Sequence, residues 1–187
     1  MHQDNWSLKA KKMGYRSRAV FKLEEILLKL HKYKINKVLD LGSAPGGWSQ
    51  LIINKYQHSK IIAVDILDME PIDGVQFIKK NIEDIDSIKL INSQKGKFDL
   101  VISDIAPNLT GISAVDNENI YELNKITINL ANIYLSEANS AVVIKTFQNN
   151  NFKSLKKEME LFFKIVQTYK PAASKNKSAE TYLYGAR

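Results

Sequence analysis

Residues 37–48 read KVLDLGSAPGGW, and this stretch decides how the chain folds. Val38, Leu39 and Leu41 form a short apolar run that predicts a buried strand, and Gly42 ends it. Glycines at 42, 46 and 47 let the backbone turn sharply and approach a ligand. Residues 48–56 read as the helix that follows, with free N–H groups at its start. A second strand, KIIAVD at 60–65, ends in Asp65, twenty-three residues after Gly42. A carboxylate at that place can accept both hydroxyls of an adenosine ribose. The combination fits a dinucleotide or S-adenosylmethionine. The dinucleotide pattern G-x-G-x-x-G is not met, because Ala44 stands where the second glycine belongs and Pro45 follows it. That favours S-adenosylmethionine, which needs no phosphate cradle, over an ordinary tight turn or a pyrophosphate site.

Outward from this unit the chain alternates strands and helices. Val20, Leu23, Ile26, Leu27 and Leu30 have helical spacing over 16–30, and Ile120, Leu123, Ile126, Leu130, Ile133 and Tyr134 have it over 117–137. A further helix is expected at 152–163, and strands at 75–78, 98–104, 141–147, 164–169 and 181–184. The fold class is therefore α/β. It is a single-domain, Rossmann-like, mostly parallel seven-stranded sheet with helices on both faces and a C-terminal antiparallel strand, since only a short loop joins the last two strands. Ligands of such sheets bind beyond the carboxyl ends of the strands.

A chain of 187 residues with 44% hydrophobic and 25% charged residues suits one folded domain. It has no cysteine, and His2, His31 and His58 show no metal-ligand spacing, so no metal is expected. Neither a membrane-length apolar run nor a signal-peptide core is present, so a soluble, cytoplasmic protein is expected, with a mitochondrial or plastid matrix as the alternative for a eukaryotic source. The net charge of +7 is uneven: residues 1–22 carry +5, residues 170–187 carry +3 and the stretch between carries −1. A fold that joins the two ends makes one basic face, the footprint of a nucleic-acid binder, although lysine-rich termini can also be plain solvated surface.

Two charged residues stand at the ends of neighbouring expected strands: Asp104 in SDIAPN and Lys145 in VVIKTFQ. An ammonium after an apolar run is costly to bury, and a carboxylate on the adjacent strand compensates it. Alone this reads as a structural ion pair; beside a cofactor loop it reads as chemistry. Lys22 and Glu180, by themselves, read equally well as a helix-surface lysine and a loop carboxylate.

RSRAVFKLEEI (16–26), DLGSAPGGWSQ (40–50), SDIAPN (103–108), VVIKTFQ (142–148) and SAETYL (178–183) together, in this order and spacing, resemble the FtsJ family of ribose 2′-O-methyltransferases. The resemblance spans nearly the whole chain. It implies a catalytic tetrad at Lys22, Asp104, Lys145 and Glu180, and S-adenosylmethionine contacts at Gly46, Trp48, Asp65, Asn81 and Asp104, to which the reading of the glycine loop adds Gly42 and Gly47. It implies large-subunit rRNA, or the large ribosomal subunit, as partner, a uridine of 23S rRNA as target, and a monomer whose basic residues 1–15 touch RNA. Three features depart from the family pattern. Asn81 replaces the usual Asp, with Asp84 nearby as a substitute; Asn139 stands in a turn that usually holds glycine and is expected to take the left-handed conformation; and the basic segment ahead of Trp6 is short.

In the implied chemistry a ribose 2′-hydroxyl attacks a sulfonium methyl, and Lys145 is the candidate base. It must be neutral to accept the proton; desolvation and the charge of Lys22 favour that form, while Asp104 and Glu180 oppose it. RNA is expected across the basic first helix and the 170–177 loop, with Trp6, Tyr15 and Tyr169 as candidate stacking platforms. Competing readings are a tRNA or mRNA-cap methyltransferase, a non-catalytic RNA-binding assembly factor, and an NAD-dependent oxidoreductase, for which Tyr121 and Lys125 offer a short Tyr-x-x-x-Lys match.

Overall fold

A computed structural model describes residues 5–30, 33–108, 110–174 and 178–187. Its strands are β1 (Lys37–Leu41), β2 (Lys60–Asp65), β3 (Val75–Lys79), β4 (Leu100–Ser103), β5 (Ala141–Phe147), β6 (Ile165–Tyr169) and β7 (Glu180–Ala186). They form one seven-stranded sheet in the order β3-β2-β1-β4-β5-β7-β6. The first five pair in parallel and β7 runs antiparallel between β5 and β6. The helices are α1 (Asn5–Lys12), α2 (Val20–Leu27), α3 (Gly47–Lys55), α4 (Lys89–Asn92), α5 (Ser113–Tyr134) and α6 (Phe152–Glu160), with a 3-10 turn over Ile82–Ser87.

Alternation along the strands divides the core into two layers. Val38, Ile61, Leu100, Ile102, Val143 and Tyr182 face α1, α2 and α3, where Leu23, Ile26, Trp48 and Ile52 meet them. Leu39, Leu41, Val64, Val101, Val142, Ile144 and Leu183 face α5 and α6, against Ile128, Ala131, Tyr134, Leu155 and Met159. Because the central strands are covered on both sides, their sequences are near-continuous apolar runs.

The expected strands at 37–41, 60–65 and 141–147 match the observed bounds. The helices moved more. The expected helix at 16–30 is confined to Val20–Leu27, because the Ser17 hydroxyl accepts the Ala19 N–H and Arg16 is drawn away toward the glycine loop. The helix expected at 117–137 begins at Ser113, where the buried Asp116 carboxylate accepts the N–H groups of Thr110 and Gly111. It stops at Tyr134, because Leu135 bridges Phe98 and the Ser136 N–H bonds the Phe98 carbonyl. Asn139 has φ 55°, in the left-handed region read for it from the sequence.

Candidate active site

Strand register brings the site together. Leu41 pairs with Val64 and with Ser103, and Ser103 pairs with Ile144. One residue further along each strand come Gly42, Asp65, Asp104 and Lys145, which thus line up along the carboxyl edge of the sheet. The antiparallel β7 starts at this same edge, with Glu180 opposite Phe147 and Tyr182 opposite Lys145.

The glycine loop and Asp65 build one side. The Asp65 carboxylate accepts the Ala44 N–H at 2.8 Å through one oxygen and the Leu67 N–H at 2.8 Å through the other. It thereby fixes both the loop after β1 and the segment after β2. Gly42 has φ +73°, and a Cβ there would lie 2.0 Å from the Ile105 side chain, so only glycine fits. Between these loops and the start of α5 opens a cavity of about 540 Å³, the size of a small-molecule site. Gly42, Asp65, Asn81, Asp104, Ile105 and Asn119 are among its lining residues. Ser43 in the loop is buried, and its hydroxyl is the one buried side-chain polar atom without a partner among the described residues.

The cofactor-contact set read from the sequence divides here. Gly42, Asp65, Asn81 and Asp104 line the cavity, whereas Gly46, Gly47 and Trp48 do not. The Trp48 side chain is buried in the α1–α3 layer and donates its indole N–H to the Ala19 carbonyl at 2.9 Å, which leaves only its main chain for the contact read from the sequence. Gly47 permits close packing, since a Cβ there would meet Ser17 at 2.9 Å. Asn81 caps the 3-10 turn by accepting the Glu83 N–H at 3.2 Å, and one lone pair of its amide oxygen remains for a ligand. Asp84, the proposed substitute, is exposed and is not part of the cavity lining.

Four charged side chains form the other side, in two pairs. Lys145 Nζ lies 3.2 Å from Asp104 Oδ1 and also donates to the Asp104 backbone carbonyl. Lys22 Nζ lies 2.6 Å from Glu180 Oε1, which also accepts the Ser174 hydroxyl at 3.0 Å. Both lysines are buried. Tyr182 stands between the pairs: its hydroxyl donates to Asp104 Oδ1 at 3.2 Å, and Lys22 Nζ lies 6.0 Å from its ring centroid. Burial pushes the Asp104 carboxyl above its ordinary range, against the opposing pull of Lys145 and Lys22. Burial would raise Glu180 as well, but the Lys22 ammonium and the Ser174 hydroxyl outweigh it and hold that carboxyl below its usual value. Burial also raises the Tyr182 phenol, reinforced by the charges of Asp104 and Glu180, so it stays protonated and donating.

Tyr182 and Ser174 are the residues the sequence reading missed. Tyr182 had a signal: it lies two residues after Glu180 on a strand, hence on the same face. Ser174 had none, since its place depends on the loop that Glu25 of α2 holds through the N–H groups of Ala172 and Ala173. The aromatic residues read as base-stacking candidates have other partners. Trp6 packs on Phe21 with centroids 5.2 Å apart, Tyr15 meets the same ring edge-on at 6.3 Å, and the Tyr169 hydroxyl donates to Glu25 at 3.0 Å. Tyr121, of the Tyr-x-x-x-Lys match, donates to Glu158. Lys175 and Lys177 of the basic loop, with His2 and His31, lie outside the described residues.

This sheet order, with its cavity and paired charges on the carboxyl side, is that of a Rossmann-like methyltransferase, and comparison with known proteins narrows the class to a family. The FtsJ-like methyltransferase family model matches residues 15–187. The chain belongs to that family. Among similar curated proteins is the "Ribosomal RNA large subunit methyltransferase E" of Wigglesworthia glossinidia brevipalpis, 39% identical over 184 residues, covering 97% of this chain and 90% of that protein. The protein of the same name from Francisella tularensis subsp. novicida is 41% identical over 186 residues, covering 96% and 89%. A solved structure described as a ribosomal RNA methyltransferase, from Plasmodium falciparum, superposes with a TM-score of 0.77 at 29% identity, covering 92% of this chain and 98% of that one. Spermidine synthase from Thermotoga maritima, at 14% identity and a TM-score of 0.59, shares the fold; it covers 83% of this chain and 55% of that one.

Proposed function

We propose that this methyltransferase transfers a methyl group from S-adenosylmethionine to a ribose 2′-hydroxyl of large-subunit rRNA, at a uridine of the 23S molecule, acting as a cytoplasmic monomer. The observation that carries the reading is the Lys145–Asp104 pair beside the cavity, backed by Tyr182 and by the Lys22–Glu180 pair. The cavity suits the cofactor chemically: Asp65 offers carboxylate lone pairs for ribose hydroxyls, Asn81 an amide for the base, and Ile66, Leu67 and Ile105 apolar surface for its faces. When bound, S-adenosylmethionine supplies an electrophilic methyl whose bond to sulfur breaks as the bond to the ribose oxygen forms, leaving the electron pair on sulfur.

The chain's own residues orient and deprotonate the hydroxyl. Asp104 occupies two directions around Lys145 Nζ, one through its carboxylate and one through its carbonyl. A neutral amine held by those two N–H bonds directs its lone pair elsewhere, and that lone pair takes the hydroxyl proton. Asp104, itself oriented by Tyr182, then stabilises the ammonium that results. Lys22, ion-paired with Glu180, holds the ribose or its phosphate in this reading. The exposed lysines of α1, Lys11 and Lys12, extend a basic surface for the RNA backbone. Among the described residues no helix is long and apolar enough to cross a membrane.

The test is methyl transfer from labelled S-adenosylmethionine to large ribosomal subunits from cells lacking the modification, with the label mapped by nuclease digestion. Label on a 2′-oxygen of 23S rRNA supports the reading. Label on tRNA or cap ribose instead, or no transfer to any RNA, refutes it.

A further inference from the structure

Arg16 opens the expected first helix, 16–30, across which the sequence reading lays RNA. The structure gives its guanidinium a different task. Nη1 donates to the Pro45 carbonyl at 3.2 Å and to the Glu70 carbonyl at 2.5 Å, and Nη2 donates to the Pro71 carbonyl at 2.7 Å. Pro45 lies in the glycine loop after β1, and Glu70 and Pro71 lie in the segment after β2. These are the two stretches that Asp65 joins from the other end, through Ala44 and Leu67. Ala44 lines the cavity from the first stretch, and Ile66 and Leu67 line it from the second. Arg16 is itself held in place, its own N–H donating to Gln50 Oε1 at 3.1 Å while Gln50 Nε2 donates to the Gly14 carbonyl at 2.9 Å.

We infer that Arg16 is a positioning residue for the nucleoside end of the cofactor: it fastens together the two loops that wall the cavity around Asp65. The inference rests on the cofactor reading above. Its physical basis is the guanidinium fork. Three carbonyls on two chain segments receive N–H bonds from one rigid planar group, a geometry that an ammonium on a flexible stem does not reproduce. Without the clamp, Ala44, Ile66 and Leu67 spend less time in the arrangement that receives a ligand, and apparent affinity falls by the lost fraction. A residue whose charge served RNA would behave otherwise, because lysine keeps that charge.

Calorimetric titration of S-adenosylhomocysteine into wild type, R16K and R16A, beside RNA-fragment binding at fixed salt, separates these roles. Both variants are expected to bind the nucleoside about tenfold or more weakly. R16K is expected to keep its RNA affinity within about twofold, and single-turnover methyl transfer is expected to recover at saturating cofactor. Both variants are expected to melt as wild type does without ligand, so that the affinity loss is local. Nucleoside affinity unchanged in R16K and R16A overturns the inference, as does a loss confined to RNA binding. Failure of the wild type to bind the nucleoside overturns the cofactor reading itself.

Discussion

The two sides of the site are built from different materials. On the β4–β5–β7 side, charged side chains bind one another: Lys145 to Asp104 and Lys22 to Glu180, with Tyr182 donating to Asp104. On the β1–β2 side, main-chain loops make the walls, and side chains such as Asp65 and Arg16 act by tying backbone groups together. The first arrangement suits moving a proton, which needs titratable groups at fixed distances. The second suits holding a ligand, which needs a shaped and rigid cavity. The difference teaches that substitutions on one side should change rate, and substitutions on the other should change affinity.

The largest expected effect breaks the comparison on the catalytic side. Lys145→Ala should lower single-turnover methyl transfer by about 10²–10⁴-fold, the usual contribution of a general base. Rapid-quench kinetics with saturating RNA and cofactor would check it.

Asp40 lies on β1, 1% exposed, accepting the Ser49 hydroxyl at 2.6 Å. Burial, together with Asp104 and Asp65 nearby, pushes its carboxyl up to about 7. A carboxyl raised on folding gives stability that is fully present below its unfolded value of 3.8 and lost as pH rises through about 7. Asp40→Asn, which keeps an acceptor for Ser49, is therefore expected to stabilise the protein at pH 8 by up to roughly 4 kcal/mol and to change little at pH 4. Denaturant titrations at the two pH values measure the difference.

Gly42→Ala tests the binding side. The left-handed backbone disfavours alanine by about 1–2 kcal/mol, and the new methyl would push Ile105 toward the cavity. Affinity for S-adenosylmethionine should fall by about tenfold or more, and Ile105→Ala in the same chain should restore part of it. The smallest effect concerns RNA. Removing Lys11 and Lys12 should flatten the salt dependence of RNA binding by about 1.5 in log–log slope. Lys9 should contribute less, since its ammonium lies 4.6 Å from the Phe21 ring centroid. Filter binding across a salt series reads both.

The same contrast explains what the sequence made legible. β1, β2 and β5 were readable because each is an apolar run bounded by turn or polar residues, and their register through β4 sets Gly42, Asp65, Asp104 and Lys145 side by side. Lys22 and Glu180 stand 158 positions apart, so their pairing was accessible only through family resemblance. Helix α1 was invisible to periodicity because it is mostly polar, anchored by Ala10 and by Trp6 against Phe21. The 3-10 turn at Ile82–Ser87 and α4 are too short to carry a pattern. Arg16 and Trp48 have side-chain partners that no local pattern announces: one carries a charge that serves backbone carbonyls, and the other sits in the glycine motif with its side chain packed into the core.

The division of labour is tested most directly by measuring cofactor affinity and single-turnover rate on the same two variants, Lys145→Ala and Gly42→Ala. The expected result is that Lys145→Ala binds S-adenosylmethionine within about twofold of wild type while losing at least about a hundredfold in rate. Gly42→Ala should lose affinity first and regain much of its rate at saturating cofactor. Equal losses of affinity and rate in both variants would contradict a site whose two sides work separately.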